Sequence, residues 1–150
     1  MKTGIVVVII VLATMATLAQ TPSAQAPPAP QAQAAYQPKF AGDPAHSDAE
    51  AAALGYLRTL VGAQRIYYKR HQTYATSLHE LAGQGSFTRR MERTDRGDYT
   101  VHFRSTGKTY AVSLVPHQYD GAHRAFYTDE TGAIHVEDAQ PASKASPELK

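Results

Sequence analysis

The sequence predicts an α+β fold: a long N-terminal amphipathic helix packed on a three- to four-stranded antiparallel meander, preceded by a signal segment and a disordered linker. Three observations predict it. Bulky or apolar residues recur every three to four positions from Asp48 to about Arg70, with no proline among them. From Asp98 onward the period falls to two. Turn formers punctuate this second half at Ser105–Lys108, His117–Gly121 and Asp129–Gly132.

The chain opens Met1-Lys2-Thr3-Gly4 and continues as an apolar run, Ile5 to Leu12, followed by small residues up to Ala19. A positive start, a short apolar stretch and small residues at a cut site are the parts of a secretory signal. Residues 1–19 therefore read as a signal peptide or an uncleaved anchor, and either form places the rest of the chain outside the cytoplasm. A membrane contact would run through residues 5–19 alone. Residues 20–45 hold six of the nine prolines among Ala and Gln. That composition buries too little apolar surface to offset its ordering entropy, and predicts a disordered linker. Residues 46–139 form the predicted globular domain, and residues 140–150 a flexible tail.

Within the domain, Ser47-Asp48-Ala49-Glu50 is a capping box that starts the long helix. Leu54, Leu57, Leu60, Val61, Tyr67 and Tyr68 mark its inward stripe, while Arg58, Arg65, Lys69 and Arg70 lie mostly off it. Thr76 or Ser77 caps a short helix carrying Leu78 and Leu81. Gly83 to Gly97 reads as a connecting loop with one helical turn. Strands follow at Tyr99–Arg104, Thr109–Val115, Ala125–Thr128 and Ala133–Glu137. Leu57, Leu60, Tyr67, Tyr68, Leu78 and Val101 are the expected core.

Charge and composition exclude several functions. The chain has 15 Lys+Arg against 13 Asp+Glu, and the excess sits in the leader and tails, leaving the globular part formally neutral. Nucleic-acid binding loses its main support. The absence of Cys excludes disulfides, thiolate zinc sites and cysteine nucleophiles. No serine lies in a Gly-x-Ser-x-Gly elbow, no glycine-rich phosphate loop occurs, and the carboxylates fall at turns, so no enzyme is predicted. In the run Arg89, Arg90, Arg93 and Arg96, interleaved with Glu92, Asp95 and Asp98, a solvated, self-paired face outweighs a phosphate site. Arg96-Gly97-Asp98 reads as a turn into a strand rather than a receptor-binding tripeptide.

Seven histidines raise metal binding. His71 and His79 are too far apart in sequence to pair as ligands, and His102 and His135 sit within strands. His117, Asp120 and His123 share one loop and, with Asp129, form the candidate metal set. No cofactor is expected; were the set to hold a metal, calcium is the cation that carboxylates and loop carbonyls suit, while His117 and His123 add the zinc alternative.

The run Ala53-Leu54-Gly55-Tyr56-Leu57-Arg58-Thr59-Leu60-Val61 through Tyr68 resembles the amphipathic helix of type IV pilin-like and type II secretion pseudopilin-like proteins. Tyr74-Ala75-Thr76-Ser77-Leu78-His79-Glu80-Leu81 resembles the family's Tyr-x-x-Ser-Leu-x-x-Leu segment. Phe126 to Ile134, with its Asp129-Glu130-Thr131-Gly132 turn, is similar to the family's last hairpin. The resemblance covers roughly residues 50–137 and implies a non-enzymatic structural or protein-interaction module of the bacterial cell envelope. Its implied partners are other envelope, pilus or secretion-system proteins. It extends to the globular head alone: no Glu precedes Glu50, and a proline-rich stretch separates the apolar run from the helix. The expected protein is therefore exported, periplasmic, extracellular or anchored facing outward. The alternative is a small secreted metal- or ligand-binding domain using the 117–130 loops.

Overall fold

The computed structural model describes residues 36–150; the expected signal segment and the linker up to residue 35 lie outside the described residues. Helix α1 spans Asp48–His71. Ser47 caps it, its side chain accepting a hydrogen bond from the Glu50 amide at 3.1 Å, and Glu50 reaches back to accept from the His46 amide at 2.8 Å. Helix α2, Leu78–Leu81, repeats the arrangement in miniature. Ser77 accepts from the Glu80 amide at 3.3 Å, and Glu80 accepts from the Thr76 amide at 2.6 Å. Two Ser-x-x-Glu phrases thus each satisfy the orphan donors of a helix start.

A 3₁₀ turn at Arg89–Glu92 leads into five strands. They are β1 (Asp95–Arg96), β2 (Tyr99–Ser105), β3 (Tyr110–Pro116), β4 (Ala125–Asp129) and β5 (Ile134–Glu137), antiparallel and in the order β1-β2-β3-β4-β5. The expected sheet of three to four strands is corrected to five. The extra strand comes from the charged run read as a loop: Gly97, at φ +64°, turns the chain so tightly that Arg96 pairs with Tyr99 and Asp95 with Thr100. A two-residue strand carries no period, which hid it.

Register fixes one face. Val101 opposes Leu114, Leu114 opposes Phe126, and Phe126 opposes Val136. These residues join Leu54, Leu57 and Leu60 of α1, α2's Leu78 and Leu81, and Phe87 in one hydrophobic cluster, with Val136 packed against its edge. Each of the three α1 leucines is essentially unexposed, and each contributes roughly 1.5–3 kcal/mol by burial. Tyr68 departs from the expected core: it is 39% exposed, and its ring lies 4.6 Å from that of Tyr74 at the helix's C-terminal end. Tyr67 is half-buried. Gln64, by contrast, lies fully buried among the leucines. Its amide bonds both backbone groups of Ala75 at 3.0 and 3.2 Å, pinning the segment after α1 to the core.

The fold also reaches beyond residues 46–139 at both ends. Tyr36 donates to Asp43 at 2.5 Å, and Ala45 is buried. Within residues 140–150, expected as a flexible tail, Ser146–Leu149 pair with β5. The Val136 amide donates to Pro147 and the Leu149 amide to Ile134, while Ala142 and Ser146 are buried. Among the described residues no helix is long and apolar enough to cross a membrane.

Candidate functional site

The four expected metal ligands do not converge. Asp120 and His123 form one small cluster: Oδ1 of Asp120 meets Nδ1 of His123 at 2.8 Å and accepts from the Ala122 amide at 2.8 Å. Those bonds, the amide first, hold the Asp120 carboxyl below the usual carboxylate range. On its other side His123 faces Asp98, with Nε2 to Oδ2 at 3.5 Å. His117 turns to Thr100 Oγ1 at 3.2 Å. Asp129 lies at the far end of β4, and at ~3.3 Å per residue that strand alone holds its ends roughly 13 Å apart. Asp129 is also engaged, accepting from Thr131 Oγ1 at 2.6 Å and Thr131 N at 2.9 Å, with Lys144 Nζ at 3.4 Å. Burial pushes its carboxyl up, but the Thr131 hydrogen bonds and the Lys144 charge outweigh it and hold the group low. Among the described residues no group of three or more His, Asp or Glu side chains is arranged to hold a metal ion. Linear proximity of His117, Asp120 and His123 was the signal; the loop spends those side chains on local turns and on β2.

Sequence reasoning missed a buried ion pair. Glu50, fully buried at the first turn of α1, accepts from Arg124 Nη2 at 2.8 Å, Nε at 3.0 Å and the Arg124 amide at 2.9 Å. Arg124 Nη2 also donates to the Pro44 carbonyl at 2.6 Å. The pair fastens the helix start to the entry of β4. Helix dipole and bidentate geometry both favour the Glu50 carboxylate there. Its partner lies 74 residues away in sequence, beyond any local pattern.

Beside this latch runs a groove of about 730 Å³ between α1 and the β1–β2 turn. Ala49, Ala52 and Ala53 of α1 and Leu114 of β3 line its apolar part, and Arg90, Arg93 and Arg96 its basic part. The arginine run was expected to pair with its own acids. Among the described residues none of its guanidinium groups forms an ion pair. Glu92 is taken by His79 at 3.1 Å and Asp98 by His123. Arg96 instead lies over the Tyr56 ring at 4.4 Å and donates to the Arg90 carbonyl at 3.3 Å. Burial pushes the Tyr56 phenol up to about 12, so it stays neutral while its hydroxyl donates to the Met91 carbonyl at 3.1 Å. Arg96-Gly97-Asp98 is accordingly a turn with both charged side chains drawn onto the domain. Tyr99 also lines the groove; it is 2% exposed and its hydroxyl has no partner among the described residues.

Of these arginines Arg96 alone is held by side-chain contacts, while Arg90 and Arg93 stand exposed beside the partly apolar floor. A charge-assisted bond contributes about 1.5–3 kcal/mol where water is reduced, against about 0–1 kcal/mol on open surface. Comparison with known proteins found no matching family model, no matching curated protein and no matching solved structure.

Proposed function

We propose that this chain is an exported, non-enzymatic interaction module of the bacterial cell envelope, related to the globular heads of pilin-like and pseudopilin-like proteins. The observation that carries the reading is the groove over α1. Its arginines form no ion pair with a carboxylate among the described residues, while the neighbouring acids and histidines serve turns and latches. Such a surface suits holding a partner by contact. The order of α1, the Tyr74–Leu81 segment and the Asp129–Gly132 turn supports the family relation through the phrases they share. The experiment is fractionation of cells expressing the full chain with a photo-crosslinking residue at position 52, beside the arginines, and at exposed Lys108 on the β2–β3 turn as control. The expected result is an exported chain, an N-terminus at or near Gln20 or an intact anchor, and an adduct with an envelope protein at position 52 alone. A chain retained in the cytoplasm, or equal crosslinking at both positions, would overturn the proposal.

A further inference from the structure

We infer that the arginine groove takes a short acidic peptide segment of a partner protein, its carboxylates on Arg90, Arg93 and Arg96 and its small apolar side chains on the alanine floor. This rests on the contact reading above and names the chemistry of the contact. Arg96 is held by the Tyr56 ring and the Arg90 carbonyl, so its planar fork is presented with little ordering left to lose on binding. Alanines at positions 49, 52 and 53 leave open the space that longer side chains on α1 would fill. The lining carries three arginines against two acids, Asp95 and Asp98; Asp98 faces His123 at 3.5 Å, and no Arg of the lining pairs with either acid among the described residues. Asp95 sits on β1 in the groove's lining. A nucleic-acid strand would bring phosphates to the same forks. It would find no free stacking surface, because Tyr56 is covered by Arg96 and Tyr99 is buried.

Fluorescence anisotropy tests the inference, with the full chain titrated into a labelled peptide of alternating Glu and Ala at low salt, and a Gln and Ala peptide as control. The Glu peptide is expected to bind, the Gln peptide not, and added salt to weaken the complex. The double variant R90E/R93E alters two exposed side chains. It is expected to bind the Glu peptide about tenfold or more weakly, to gain affinity for a Lys and Ala peptide, and to keep its circular dichroism spectrum. Equal binding of the Glu and Gln peptides, or unchanged affinity in the variant, would overturn it. So would inorganic phosphate competing as strongly as the peptide, which marks a small-anion site, or a single-stranded oligonucleotide binding more tightly. A dimer in sedimentation that R90E/R93E dissolves, with no peptide binding, gives the groove to a second copy and also overturns it. An envelope-protein adduct at position 52 together with no Glu-peptide binding would sink this inference and leave the contact reading standing, so the two fail separately.

Discussion

At Glu50 a single carboxylate closes the capping box, faces the positive end of α1 and neutralises Arg124. Replacing it with Ala leaves a guanidinium in a site where it is 8% exposed, with no charge opposite. Stripping one partner from a buried pair costs about 3–5 kcal/mol, so Glu50→Ala is expected to lower the urea midpoint by that much in free energy. Asp129 makes the pH prediction. Its folded carboxyl titrates below the unfolded value of about 3.9, so it stabilises the fold above that pH and ceases to as pH falls through the lower folded value. Stability of the Asp129→Asn variant, followed by thermal melting, should be lower at neutral pH and fall less steeply below about pH 4. These residues also mark where sequence reading stopped. Ser47 and Glu50 were legible as a box, because both partners lie within one turn. Arg124 was not, because only the folded chain brings it to Glu50.

Among the elements, α1 announced itself through period and cap, and the inward row of β2 and β3 through alternation. β1 had neither, being two residues bent back by Gly97. The segment after β5 was equally silent: Ser, Ala and Pro carry no alternation, and its pairing is a matter of backbone amides. The arginine run was legible as charge. Its partners were not, since His123 and His79 reach the acids from other elements and leave the guanidiniums free for a groove. The β4–β5 turn joins sheet to helix. Gly132 has φ +78°, and a Cβ there would stand 2.5 Å from Arg65 Nη2 and 3.4 Å from Val61 Cγ1. The Arg65 tip can swing away, so the cost of Gly132→Ala comes mainly from the backbone. About 1 kcal/mol of destabilisation is expected by thermal melting, with Arg65→Ala doing little to relieve it.

Across the whole molecule, the chain has no cysteine to staple it, so cohesion rests on one cluster shared by helix and sheet and on the segments that extend it. Tyr36–Ala45 and residues 140–150 belong to that fold rather than to its appendages. Deleting residues 140–150 should lower stability by about 1–3 kcal/mol, from lost burial and two backbone bonds, and speed amide exchange at Val136. The same deletion bears on solubility. A sheet normally ends in two rows of unpaired amides that invite another chain to add a strand. Here one border is a two-residue strand whose neighbours are charged, and the other is shielded by Pro147 and Leu149. The β5 margin is thus covered, whereas β1 spans only the first residues of β2 and leaves its edge from His102 to Ser105 without a strand partner among the described residues, so removing residues 140–150 would give neighbouring copies a second border to zip along.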